Sequence, residues 1–203
     1  MKSLTLQQID LIPWYAFAAY WAITALRVNR TKAREKSVDR LVTLVVVILA
    51  YNLLFSNWLR MGVLGLRFVP QEEWIGWAGI ALTFVGVAIS IWARHCLGVY
   101  WSARVTLKEG HQLVCSGPYA FVRHPIYTGM LLGAVGTCLV TGEWRGIAAV
   151  ALLLAAHSRK AMREERLLTA EFGEEYAAYR RCTGFLFPRL GRAVRMDTRP
   201  TGS

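Results

Sequence analysis

The sequence predicts an all-α, polytopic membrane protein with about five transmembrane helices and a C-terminal cytoplasmic helical extension. Three observations predict it. The 203 residues are 55% hydrophobic with a mean hydropathy of +0.33, too apolar for an ordinary soluble domain of this size. The apolar residues come in blocks rather than dispersed through the chain, as spanning segments require. The formal charge of +11 is gathered between and after those blocks, so it reads as topology and lipid-headgroup contact rather than as a nucleic-acid surface.

Five segments follow in order. The first runs from about Leu11 to Val28, with Pro13 suited to a helix start and Trp14, Tyr15, Tyr20 and Trp21 as interface anchors. The second runs from about Leu41 to Trp58 and the third from about Trp74 to Ala93. Residues 60–73 read as a short interfacial helix or a loop. The fourth runs from about Pro125 to Thr141, and a short link at 141–144 forces the fifth, beginning near Arg145, to lie antiparallel to it. Gly76, Gly79 and Gly86 on the third segment and Gly129, Gly133 and Gly136 on the fourth have the spacing that lets backbones approach, a packing feature. The fifth helix continues as 158–172 until Gly173, and a short cytoplasmic helix over 174–181 follows.

Lys and Arg placement sets the orientation. Arg27, Arg30, Lys32, Arg34, Lys36 and Arg40 separate the first two segments, and Arg94, Arg104, Lys108 and Arg123 follow the third. The opposite face receives only Lys2, Arg60, Arg67 and Arg145. The positive-inside rule puts the N-terminus outside and the C-terminus in the cytoplasm. One integral-membrane domain, 1–203, is expected: three N-terminal spans over 1–94, a core over 95–190 and a tail over 191–203. No cleavable signal peptide is expected, and Cys96, Cys115, Cys138 and Cys182 are expected as free thiols.

The chemistry concentrates in GHQLVCSGPYAFVRHPIYTG at 110–129 and RKAMREERLL at 159–168. Pro125 fits a first helical turn, whose free N–H groups and dipole favour a negative group, with His124 and Tyr127 flanking it. A histidine and arginine snorkelling to headgroups would look the same. His111 reads equally as a solvated loop residue, and Tyr119, after the Gly117-Pro118 turn, as an aromatic anchor. Glu164 and Glu165 are paired carboxylates; alone they would be a solvated helix face laced by pairs such as Lys160 with Glu164. They gain weight because their helix grows out of a span near the histidine loop. No metal-ligand spacing, HExxH, Walker loop or dinucleotide-binding glycine fingerprint occurs, so no metal is expected.

The first of these segments, with REERLLTAEFGEEYAAYRR and TGFLFPRL, resembles the isoprenylcysteine carboxyl methyltransferases, whose bacterial relatives and the phospholipid N-methyltransferases share the pattern. The likeness covers about Leu97 to Leu190, half the chain, and rests on RHPxYxG followed by EExxL and FGxEYxxY. It implies a transmembrane methyltransferase using S-adenosyl-L-methionine from the cytoplasmic side, with S-adenosyl-L-homocysteine as product. It further implies that His111, Gln112, Leu113, Val114, Tyr119, His124, Pro125, Ile126, Tyr127 and Glu164 line the cofactor pocket, with Glu165 beside them. The family's substrate-binding arginine aligns with Lys160, with Arg159 and Arg163 as close alternatives, so Lys160, Arg163 and Glu164 are the candidate catalytic residues. Lysine is a point charge rather than a bidentate fork, and Arg104 stands where the prenylcysteine enzymes use glutamine.

Methyl transfer needs an oriented nucleophile and exclusion of water. A carboxylate acceptor is already ionised, whereas an amine must lose a proton to Glu164, Glu165 or a histidine. Carboxyl O-methylation of a lipophilic or isoprenoid acceptor is the leading expectation. The partners are then that acceptor and membrane lipids, with no nucleic acid and no obligate protein partner, in a bacterial inner or plasma membrane. The alternatives are phospholipid or amine N-methylation, a sterol-reductase-type membrane reductase using NADPH, and a non-enzymatic scaffold of the same fold.

Overall fold

The structure is a computed structural model that describes residues 4–25, 37–98 and 113–189. Five α-helices account for most of them: α1 (Leu6–Ala25), α2 (Ser37–Phe55), α3 (Glu73–Leu97), α4 (Pro125–Thr141) and α5 (Trp144–Cys182). No strand occurs among the described residues; two isolated bridges pair Arg67 with Glu143 and Val122 with Gly184. The 57–65 region holds two single 3-10 turns, so the interfacial segment is neither a full helix nor a plain loop.

The start of α1 lies earlier than Pro13 indicated, and Pro13 sits inside the helix. The start signal is Thr5 with Gln8: the Thr5 N–H donates to Gln8 Oε1 at 2.9 Å and the Gln8 N–H to Thr5 Oγ1 at 3.3 Å. This is a reciprocal cap that satisfies two orphan donors. Trp14 likewise is not an interface anchor. It is buried, and its Nε1 donates to Thr137 Oγ1 at 2.9 Å, because a buried indole needs an acceptor.

α3 against α4 is the tightest helix pair. A Cβ on Gly79 would meet the Gly136 carbonyl at 2.7 Å, and one on Gly136 the Gly79 carbonyl at 2.5 Å, so both backbones approach only because side chains are missing. Gly86 meets Gly129 and Gly133 in the same way. Ser90 Oγ donates to the Ile126 carbonyl at 3.1 Å across the seam, the polar glue expected between apolar helices. The packing reading of the glycines holds.

α1 rests on α3 and α4, and α2 on α5. Val38, Leu41, Val42, Val45, Ile48 and Leu49 of α2 remain exposed, an apolar face too large for contact with water. Val38–Phe55 and Glu73–Leu97 are long and apolar enough to cross a membrane, and Pro125–Thr141 is a shorter apolar helix.

The α4–α5 hairpin turns at Gly142, whose φ of 65° is left-handed and suits glycine. α5 then runs on to Gly173, where φ 50° and ψ −119° interrupt the helical geometry. That conformation is open to glycine and strained for other residues, so the expected break at 173 is found. The chain past Cys182 doubles back onto the start of α4.

Candidate functional site

The site is built where α4 begins. Three backbone bonds clasp the returning C-terminal strand-like segment to the chain before α4. Gly184 N donates to Phe121 O at 3.1 Å, Arg123 N to Gly184 O at 2.8 Å, and His124 N to Phe185 O at 3.3 Å. Thr128 Oγ1 adds a bond to Leu186 O at 2.6 Å. Tyr179 Oη reaches the Tyr119 carbonyl at 2.7 Å, which fastens the 117–120 turn to the end of α5. His124 is the N-cap of α4 but its side chain makes no cap bond, and Pro125 occupies the first helical position. The imidazole is therefore available to point elsewhere.

It points at α5. His124 Nδ1 lies 3.5 Å from Glu164 Oε2, and Nε2 lies 3.4 Å from Glu165 Oε1. These are ion-pair contacts rather than aligned hydrogen bonds. Tyr127 Oη donates to Glu164 Oε1 at 2.6 Å, and Arg123 Nε donates to Glu165 Oε1 at 2.6 Å. The arginine-histidine-proline corner and the twin glutamates thus meet directly. Their roles differ. Glu165 is buried beside Arg123, whose guanidinium also holds the Thr183 carbonyl at 2.6 Å, so it locks the clasp. Glu164 is the more open of the two, with 24% of its side chain exposed, and faces His124 and Tyr127.

Around this core, His124 and His157 both lie near-parallel to Tyr127, at centroid distances of 5.8 and 5.0 Å. Lys160 Nζ stands 5.5 Å from the same ring, a cation–π distance. Phe185 closes the other side of His124 edge-on at 5.2 Å.

The electrostatics follow from these contacts. Burial disfavours charge on His124, but pairing with Glu164 and Glu165 outweighs it and raises its pKa above 6.5. Burial would raise Glu164, yet His124, Lys160 and Tyr127 bring it below the ordinary carboxyl value. The same burial acts on Glu165, where His124 and Arg123 win and hold it down at about 2. The buried Tyr119 phenol is pushed well above its usual range, first by burial and then by Glu164.

Of the expected site residues, His124, Pro125, Ile126, Tyr127, Lys160, Glu164 and Glu165 come together here. Tyr119 and Ile126 share a buried cluster with Ala93, onto which Val114 packs; Leu113 is half-buried. Arg163 instead pairs with Asp39 Oδ1 of α2 at 3.1 Å. His111, Gln112 and Arg104 lie outside the described residues. No group of His, Cys, Asp and Glu among the described residues could hold a metal.

Three participants were not singled out from the sequence. His157 is the first, stacked on Tyr127. Tyr179 and Phe185 act through ring packing and the clasp; the Tyr176–Tyr179 spacing after a helix-breaking glycine is the signal that marks a helix packed back on the core. Arg180, Arg181 and Arg189 line a groove of about 550 Å³ behind Arg123, partly answered by Glu165 and Glu174.

Known proteins are similar to this chain in sequence. Residues 79–170 match the sequence model of the isoprenylcysteine carboxyl methyltransferase family. A cobalt-zinc-cadmium resistance protein of Cupriavidus metallidurans is 35% identical over 118 residues, covering 58% of this chain and 52% of that protein. A protein-S-isoprenylcysteine O-methyltransferase of Schizosaccharomyces pombe is 32% identical over 101 residues, covering 42% and 43%. The chain thus spans about half the length of these two relatives. A methanethiol S-methyltransferase of Bradyrhizobium diazoefficiens is 28% identical over 214 residues, covering 98% of this chain and 75% of that protein. The matched stretch takes in the α3–α4 seam, the arginine-histidine-proline corner and both glutamates, and over it this chain is similar to the isoprenylcysteine carboxyl methyltransferase family.

Proposed function

We propose that this chain is an integral-membrane methyltransferase that takes S-adenosyl-L-methionine at its cytoplasmic face and methylates a lipophilic acceptor, releasing S-adenosyl-L-homocysteine. The observation that carries the reading is the junction of Glu164 with His124 and Tyr127 at the start of α4. The donor set fits the cofactor's chemistry. An ionised carboxylate suits a ligand carrying an ammonium and a sulfonium, and an uncapped helix start suits its carboxylate. When bound, the cofactor supplies an electrophilic methyl group.

The chain's own residues do the rest. Glu164, His124 and Tyr127 bind and orient, with Leu113, Val114, Tyr119 and Ile126 completing the pocket wall. Arg123 and Glu165 fix the corner rigidly, which is what positioning within a fraction of an ångström requires. Lys160, held beside the Tyr127 ring, is the cation placed to aim an acceptor carboxylate, and Arg163 stands one turn away as its alternative. Carboxyl O-methylation needs no base and follows from that cation. S-methylation of a thiol is the second reading, favoured because the relative named a methanethiol S-methyltransferase matches nearly the whole chain.

The same proposal places five spans in the membrane, with the N-terminus outside and the C-terminus in the cytoplasm. The exposed apolar face of α2 and the Lys and Arg asymmetry support it. Incubation with methyl-labelled S-adenosyl-L-methionine and a total lipid extract tests the function. Label in a lipophilic product is expected. No labelled product, with thermal protection by NADPH and none by S-adenosyl-L-homocysteine, would replace this reading with the reductase.

A further inference from the structure

Within the site, two buried ring nitrogens, His124 Nε2 and His157 Nε2, make no hydrogen bond among the described residues. Glu164 receives the Tyr127 hydroxyl at 2.6 Å and faces His124. Glu165 receives Arg123 at 2.6 Å. Both ring nitrogens of His124 lie within 3.5 Å of those carboxylates, and the pair keeps that imidazole toward its protonated form. None of these three groups is suited to take a proton from a substrate. His157 differs from His124 in that no carboxylate among the described residues lies at ion-pair distance from its ring. Its side chain is buried, 4% exposed, and its Nε2 has no hydrogen-bond partner among the described residues. A buried imidazole nitrogen left without a partner costs free energy and calls for one.

Its place is equally specific. The ring lies 5.0 Å from Tyr127 at 7° between planes, so it belongs to the same stack as the groups that meet Glu164. Lys160 is one helical turn further along α5 and Glu164 two turns, on the same face. The stack fixes the ring plane while leaving an edge nitrogen uncommitted, the arrangement wanted in a positioned proton acceptor.

We propose that His157 Nε2 accepts the proton of a methyl acceptor that arrives protonated, a hydrophobic thiol. The inference rests on the methyl-transfer reading and deepens its second form. The steps balance without a redox partner. The acceptor S–H bond breaks and its proton passes to Nε2. The freed sulfur pair forms the new S–CH3 bond as the methyl–sulfonium bond of the donor breaks, its electron pair staying on the donor sulfur as a thioether. The imidazolium then returns its proton to water. A thiol is mostly protonated at neutral pH, so it needs such a base, whereas a carboxylate does not. Tyr127, Lys160 and Glu164 are polar and charged groups beside this histidine; burial first, and then the Lys160 ammonium, disfavours a positive charge on the ring while Glu164 favours it, so the imidazole is neutral before the acceptor arrives.

The test uses the full chain in detergent with 1-decanethiol as probe, the wild type against His157→Gln and His157→Phe. Without any donor, decanethiol is expected to shift the histidine nitrogen-15 resonance that disappears in His157→Gln. With donor, His157→Gln is expected to lower kcat for decanethiol methylation roughly 100-fold, the usual worth of a positioned base. Its KM for the thiol and its affinity for S-adenosyl-L-homocysteine should stay within about threefold of wild type. An unmoved resonance, wild-type protein that does not methylate decanethiol, an unchanged kcat in both variants, or a loss of cofactor affinity equal to the loss of rate would each overturn the inference. Absence of S-adenosyl-L-homocysteine binding to the wild type would instead overturn the reading beneath it.

Discussion

The α4–α5 hairpin carries a buried arginine–glutamate pair at each end, and the two ends do different things. At the turn, Glu143 receives Arg145 Nε and the Arg60 guanidinium, each at 2.6 Å. Arg145 also donates to the carbonyls of Leu53 and Ser56 at 2.9 and 2.7 Å, tying α5 to the end of α2. Both residues are almost wholly buried, and neither appears among the buried groups lacking a partner. At the other end, Arg123 and Glu165 make a pair of the same length, but next to it stand a partly exposed Glu164, an N-cap histidine that caps nothing and a histidine nitrogen with no described hydrogen-bond partner. A closed charge cluster holds structure; one with unspent hydrogen-bonding capacity is built to meet a ligand.

That contrast can be broken in several ways. The largest effect is expected on removing the turn-end pair: Glu143→Ala leaves the Arg145 charge buried without its carboxylate and should cost roughly 3–5 kcal/mol of stability, read by thermal unfolding in detergent. Where the protein still folds, affinity for S-adenosyl-L-homocysteine should be near wild type. Glu164→Ala should do the reverse. Calorimetry is expected to show roughly 100-fold weaker binding of S-adenosyl-L-homocysteine, the loss of one buried charged contact, with little change in melting temperature. His124→Ala should weaken binding less, by about tenfold, because Tyr127 still holds Glu164.

Acid separates the ends further. The folded-state pKa of Glu165 is depressed, to about 2, so its contribution is complete above about pH 4.5 and is lost as pH falls toward 2. His124 is raised above 6.5; its contribution is complete below pH 6.5 and is lost as pH rises through its folded value. Melting curves against pH should show both slopes, and Glu165→Gln should reduce the acid one to the part that the depressed Glu164 contributes. The smallest effect is expected at Asp39→Asn, which releases Arg163 from a partner whose side chain is 44% exposed. Less than about 0.5 kcal/mol of stability should change.

Much of this was legible in the chain, and the reasons are physical. The α4 start, the short link after it, the glycine seam and the break at Gly173 all depend on residues whose backbone demands are local: proline at a first turn, glycine where a Cβ would clash or φ is positive. The meeting of the corner with the twin glutamates was legible because a short link leaves an antiparallel hairpin few other geometries. The start of α1 was misplaced because a proline was weighed above the Thr5–Gln8 cap. Trp14 was misplaced because only the fold reveals that Thr137 lies opposite it. The division of labour between Glu164 and Glu165 and the uncommitted edge of His157 depend on side-chain directions that periodicity does not specify, nor could spacing show that Arg163 turns toward Asp39.

The central claim is that Glu164, His124 and Tyr127 form the cofactor-binding end of the hairpin while Glu143 and Arg145 form its structural end. Titration calorimetry of S-adenosyl-L-homocysteine into wild type, Glu164→Ala and a folded Glu143 variant tests it most directly. Saturable binding by the wild type and the Glu143 variant, with roughly 100-fold weaker binding by Glu164→Ala, is the predicted result. No binding by the wild type, or undiminished binding by Glu164→Ala, would contradict it.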